Sequence, residues 1–252
     1  MLSKAKIKSL RSLAVKKYRQ KDNKYIIEGF RLLQEAITSG TNIIEVWFDE
    51  KLADEYRETE FLEYLKNNNI PFSFQPTKEI NQISETRNSQ GIICLLDLPH
   101  PPQENEGNIL VLDDISDPGN LGTILRTAAW FGIKTVVLSE NSVDAFNPKV
   151  VRSAMGAHFH LNIIQINHLD VLQTLSVKKY QILGADMNGI HLNDIELAEK
   201  QNWALVLGNE AHGLNSGIHP FLTHKITIPR IGNIESLNVS IAGGIILSKI
   251  CK

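Results

Sequence analysis

From residue 108 onward one feature recurs: short apolar runs, rich in β-branched residues, that do not alternate with polar ones. They fall at 108–112, 135–138, 159–164, 180–185, 203–207 and 225–228. A strand with one wet face alternates, whereas a strand covered on both faces does not, and parallel sheets are of the second kind. Helical patterns separate most of the runs; Leu121, Ile124, Leu125, Ala128 and Ala129, for example, share one helix face. This alternation predicts an α/β fold, a parallel sheet with crossover helices. Such sheets bind ligands beyond the carboxyl ends of their strands, so the segments after the runs are where chemistry is expected.

Upstream, residues 97–107 read DLPHPPQENEG, three prolines among acids, which makes a stiff solvated linker. The expected division is residues 1–98, a linker at 99–107, and residues 108–252. The first part predicts strands at 24–28, 43–49, 71–74 and 91–98 and helices at 30–38, 52–66 and 77–83, a small α/β unit. It begins with a basic arm: Lys4, Lys6, Lys8, Arg11, Lys16, Lys17, Arg19, Lys21 and Lys24 stand against one acid, Asp22, although the chain as a whole carries a net charge of −2. Such an arm either neutralises nucleic-acid phosphates or is only a solvated helix. No apolar run approaches the roughly 18 residues needed to span a bilayer, and the N-terminus lacks the apolar core of a secretory signal. The two cysteines, Cys94 and Cys251, have no metal-ligand spacing and are expected as free thiols in a reducing cytoplasm.

Several sites are missing. Gly119-Asn-Leu-Gly122 is not a dinucleotide fingerprint, and Gly208–Gly213 lacks the Lys-Ser/Thr of a P-loop. HExxH, CxxC and GxSxG are absent, and no ligand cluster suggests a metal. Three segments remain, each after a predicted strand. In the first, Pro118 and Gly119 make a turn, Asn120 is the expected helix N-cap, and Arg126 lies off the apolar stripe. In the second, Gly208 and Gly213 flank Glu210, an acid at the rim of the presumed pocket; glycines at a strand end allow close backbone approach. In the third, Ser236 or a neighbour is expected to cap the last helix, with Asn238 and Ser240 as polar groups inside it. Gly243 and Gly244 cost about 1 kcal/mol each in a helix, which close packing would offset. His158 and His160 flank Phe159 at a predicted strand start, His212 lies between the glycines of the second segment, and none of the three is expected to catalyse.

The strings NLGTILRTAAWFGI, LGNEAHGL and IPRIGNIESLNVSIAGGIIL, in that order, resemble the three motifs of the SpoU (TrmH-like) RNA 2'-O-methyltransferases of the SPOUT superfamily. NPKVVRSAMGA resembles the segment between the first two motifs, and YIIEGFRLL the ribosomal-protein-like RNA-binding domain that many members carry. The resemblance implies a trefoil-knotted parallel-sheet domain, a homodimer with the active site near its interface, and S-adenosylmethionine as methyl donor. Carried over by position, Gly208, Ile228 and Leu237 would hold the cofactor through backbone. Asn120, Arg126, Glu210, Ser236 and Asn238 would form the catalytic site. Arg126 takes the proton step in the family; because a guanidinium stays charged, either an RNA phosphate assists it, or it stabilises the alkoxide while water takes the proton. The RNA implied is ribosomal, with transfer RNA as the alternative. A non-catalytic RNA-binding protein of ribosome assembly, a nucleotide-dependent enzyme and a base-nitrogen methyltransferase are the competing classes.

Overall fold

The computed structural model describes residues 1–53, 60–86, 88–99, 107–198 and 201–251. They form two units: Met1–His100 with Phe146–Phe159, and Pro101–Ala145 with His160–Lys252. Residues 100–106, most of the expected linker, lie outside the described residues. The division differs from the sequence reading in one respect, because residues 146–159 join the first unit. Phe146, Val151 and Phe159 pack into its core, and this burial outweighs their position in the chain.

The first unit is built on a four-stranded sheet of order β1 (Lys24–Glu28), β4 (Ile92–Asp97), β2 (Ile43–Asp49), β3 (Phe72–Gln75). β4 runs antiparallel to both neighbours, and β2 and β3 are parallel. Alternation on β2 and β4 supplies two cores. Val46, Phe48, Ile92, Cys94 and Leu96 face one layer, which holds Leu33 of α3 (Phe30–Thr38), Leu65 of α4 (Glu60–Asn67) and Val151. Trp47, Ile93 and Leu95 face the other, which holds Ile7 and Leu10 of α1 (Lys4–Ser12) and Ile80 and Ile83 of α5 (Thr77–Ile83). The basic segment is therefore α1 and α2 (Lys16–Asp22), with α1 packed on the sheet rather than trailing as an arm. Of the expected helix at 52–66, a 3-10 turn covers Glu50–Leu52 and α4 spans Glu60–Asn67, while residues 54–59 lie outside the described residues.

The second unit has six strands, all parallel, in the order β10 (His224–Thr227), β8 (Gln181–His191), β9 (Trp203–Leu207), β5 (Ile109–Leu112), β6 (Thr135–Leu138), β7 (Asn162–Gln165). Its central strands are buried throughout, as their unbroken apolar character requires. Two strands depart from expectation. Residues 157–159 form a 3-10 turn in which His158 packs on Phe146, so β7 begins only at Asn162. β8 continues to His191, because its outer half pairs with β10 across a register shift. Helices α6 (Pro118–Trp130), α8 (His168–Val177) and α9 (Val239–Ile250) complete this unit, and α7 (Pro148–Ala154) belongs to the first.

Candidate active site

The three motif segments meet at the carboxyl ends of β5 and β9. α6 opens at Asp117, whose carboxylate accepts the Asn120 N–H at 2.8 Å, with Pro118 at the first helical position. Asn120 is therefore not the cap. Asp-Pro is the stronger start signal, since the proline lacks the N–H that a cap must satisfy. This leaves the Asn120 amide free, and it donates to Glu210 Oε1 at 2.5 Å. The cap of α9 is Asn238, not Ser236. Its Oδ1 accepts the N–H groups of Ser240 (2.9 Å) and Ile241 (3.4 Å) and the Ser240 hydroxyl (2.5 Å). With its oxygen committed to the helix, the Asn238 NH2 must face the other way. It donates to Asn120 Oδ1 at 3.0 Å and Glu210 Oε1 at 3.1 Å. Asn120, Glu210 and Asn238, 90 and 118 residues apart in two of the three pairings, thus close a triangle.

The triangle sits where the N-terminal ends of α6 and α9 converge. Unpaired N–H groups and the helix dipoles make such ends favourable for negative charge, which offsets part of the cost of holding the Glu210 carboxylate there. The adjoining cleft, of about 260 Å³, is lined by Asp114, Asp117, Asn120, Glu210, His212 and Val239 among others. No lysine or arginine lines it among the described residues.

Residues that the sequence reading passed over hold the cleft together. Asn209 closes the Glu210 loop: its backbone pairs with Gly213, and its Oδ1 accepts the Ala211 and His212 N–H groups. Its Nδ2 donates to the Asp114 carbonyl at 2.9 Å. Asp113, 4 % exposed, accepts the Asn215 N–H at 2.8 Å and meets His168 Nε2 at 3.0 Å. The loop that carries Glu210 is thereby tied at both ends to the end of β5. Asp114 has φ +57°, a conformation that costs a non-glycine residue energy. Ser139 Oγ accepts its N–H at 2.8 Å and Ser142 Oγ accepts that of Ile115 at 3.1 Å. Asp-Pro was a readable signal for Asp117. Nothing local marks Asp113, whose partners lie 55 and 102 positions away.

The other expected site residues lie apart from the triangle. Arg126 is exposed on α6, without a hydrogen-bond or ion-pair partner among the described residues. It lies roughly 9 Å along the helix from Asn120 and on another side. Ser236 and Leu237 are exposed in the stretch before α9, and Ile228 follows β10. Gly208 is needed for the fold itself: a Cβ there would stand 2.4 Å from the Gly213 carbonyl oxygen. The close approach is to the chain's own loop. Of the glycine pair in α9, Gly243 gives the tight packing expected, with Leu207 Cδ1 of β9 2.7 Å from where a Cβ would be, and Gly244 does not.

The sequence model of the SpoU rRNA Methylase family matches residues 107–248, and that of the MRM3-like substrate binding domain matches residues 4–94. The 23S rRNA (guanosine(2553)-2'-O)-methyltransferase RlmP of Bacillus subtilis is 33 % identical over 245 residues, which is 96 % of this chain and 94 % of that one. A TrmH-family protein from Porphyromonas gingivalis superposes with a TM-score of 0.86 at 33 % identity, covering 99 % of this chain and 98 % of the other. The AdoMet-bound rRNA methyltransferase of Sinorhizobium meliloti gives 0.84 at 25 % identity, covering 99 % and 95 %. With motif side chains from three distant segments joined at one cleft, and with both units matched, the chain belongs to the SpoU rRNA methylase family.

Proposed function

We propose that the protein methylates a ribose 2'-hydroxyl in ribosomal RNA, with S-adenosylmethionine as donor. The observation that carries this reading is the Asn120–Glu210–Asn238 triangle at the converging ends of α6 and α9. Glu210 Oε2 has no partner among the described residues and is an open acceptor for a ribose O–H, and two fixed amides hold the carboxylate in place. The residues also fit the cofactor. The backbone N–H groups of Gly208, Ile228 and Leu237 bond to no described residue, which leaves them able to read an adenine edge or a ribose. When bound, S-adenosylmethionine supplies a methyl group activated by its sulfonium charge.

As the hydroxyl proton passes to water, negative charge grows on the 2'-oxygen. A cation placed there lowers the barrier, and Arg126 is the residue we assign to this task. Because one protomer's cleft has no arginine in its lining, the assignment goes with a homodimer. The apolar surface for one is present: Ile241 and Ile245, four residues apart on α9, are 53 % and 39 % exposed. We also read the C-terminal segment as knotted, as the resemblance to the SPOUT superfamily implies. Two free thiols suit a cytoplasmic location, and no described helix is long and apolar enough to cross a membrane.

The test is methyl transfer from radiolabelled S-adenosylmethionine to unmodified ribosomal and transfer RNA, followed by digestion to nucleosides. Label in a 2'-O-methylnucleoside from ribosomal RNA is expected. Label on a base overturns the ribose reading, and label in transfer RNA alone moves the substrate class. Arg126→Ala should abolish turnover while cofactor binding persists; near-normal turnover removes Arg126 from the mechanism. In sedimentation, Ile241→Glu should convert a dimer to a monomer.

A further inference from the structure

The basic N-terminal segment is not uniform once folded. Lys6 is used internally: its Nζ pairs with Glu45 at 2.8 Å and lies 5.1 Å from the Trp47 ring centroid. Arg19 is 3 % exposed and donates to the Leu13 carbonyl at 2.6 Å. Lys4, Lys8 and Arg11 are different. They are exposed, make no ion pair with any described residue, and follow the i, i+4, i+7 spacing that places them in one row. The row runs roughly 10 Å along α1. It borders a cleft of about 240 Å³ whose other described wall includes Gln82 of α5. Glu79 of α5 accepts the Leu2 N–H at 2.8 Å.

The row is also held in place. Ile7, Leu10 and Leu13 are buried against Trp47, Ile80 and Ile93, so these three cations do not lose the freedom of a floppy arm when they bind. We propose that Lys4, Lys8 and Arg11, with Gln82 beside them, form the surface on which the first unit holds the phosphodiester backbone of the RNA substrate. This rests on the RNA-methylation reading and assigns it a surface. Spaced cations on one helix face suit successive phosphates and carry no sequence information. The Gln82 side chain is exposed and makes no hydrogen bond to a described residue, and its amide can both donate to and accept from a ribose 2'-hydroxyl, the group that distinguishes RNA from DNA.

The experiment compares two variants that each lose two charges: Lys8→Gln with Arg11→Gln on the row, and Lys17→Gln with Lys21→Gln on α2. Binding of an unmodified ribosomal RNA transcript is measured against salt, and methyl transfer is measured alongside. For the row variant, the slope of log affinity against log salt should flatten by about 1.4, at roughly 0.7 for each phosphate contact on a single strand. Its KM for RNA should rise about tenfold or more with kcat unchanged. The α2 variant should change both far less. Equal effects from the two variants, or an unchanged slope in the row variant, overturn the proposal. Methyl transfer by the parent protein separates the two readings. A parent that methylates RNA while the row variant binds normally refutes only the surface. A parent that binds RNA through the row but methylates none refutes the proposed function and upholds the surface.

Discussion

Glu28 in the first unit and Glu210 in the second each gather donors from distant segments, and the two are built for different ends. In the first unit Glu28 accepts the hydroxyls of Ser84 (2.5 Å) and Thr86 (3.2 Å) and the Glu85 N–H (3.0 Å), with the Arg152 guanidinium 3.9 Å away. Its side chain is only 10 % exposed, and both oxygens are used. In the second unit Glu210 is exposed, takes both of its donors on one oxygen and leaves the other open beside a cleft. Glu28 staples a loop and α7 to the end of β1. Glu210 keeps unsatisfied capacity, which a fold does not need and a ligand does.

The sharpest way to break this contrast is to exchange each carboxylate. Glu210→Gln should lower methyl transfer about a hundredfold, the range seen when one preorganised polar group is lost, with the melting temperature nearly unchanged. Glu28→Ala should do the reverse. It removes the shared acceptor of the half-buried Ser84 and Thr86 hydroxyls and of the Glu85 N–H, at about 1–3 kcal/mol, while turnover per folded molecule holds. A large melting shift for Glu210→Gln, or normal stability for Glu28→Ala, would erase the distinction.

A finer contrast lies within α9. Gly243→Ala should destabilise by about 1–3 kcal/mol, because Leu207 must move from a well-packed position. Gly244→Ala meets only Thr127 Cγ2, at 3.8 Å. It should stabilise by up to about 1 kcal/mol through helix propensity. Chemical denaturation of the two variants checks the sign of each change.

The smallest effect separates the units by pH. Burial pushes the Cys94 thiol well up, and burial followed by the neighbouring Cys94 pushes the Tyr25 phenol up. Both groups stay protonated in the folded first unit. The unfolded chain releases its cysteine proton above about pH 8.5 and its tyrosine proton above about pH 10. The unfolded state then binds fewer protons, so stability present below pH 8.5 falls as pH rises, by up to about 1.4 kcal/mol per pH unit for each group. Cys94→Ala should flatten the first part of that decline, and thiol reagents should reach Cys94 only after unfolding.

Most of the second unit could be read from order alone. Continuous apolar runs required strands covered on both faces, and five of the six lie within a residue or two of their expected start. The sequence also placed Asn120, Glu210 and Asn238 just past strand ends, where a parallel sheet gathers its loops. Boundaries failed where a longer-range partner intervened, as in β8, extended by pairing with β10, and at 146–159, drawn into the other unit's core. The cap of α6 was misplaced and that of α9 left open between Ser236 and its neighbours for a local reason: several residues in a row could cap, and only geometry chooses among them. What the sequence by itself determined was which residue types stand at which strand ends, because periodicity and turn chemistry are local properties. The tertiary structure decided which of those residues touch. It closed the amide–carboxylate triangle, buried Asp113 against Asn215 and His168, and sorted nine basic residues into some consumed by the fold and others left facing solvent. Contacts across 90 or more residues depend on how whole layers pack, and no local pattern in the chain encodes that distance.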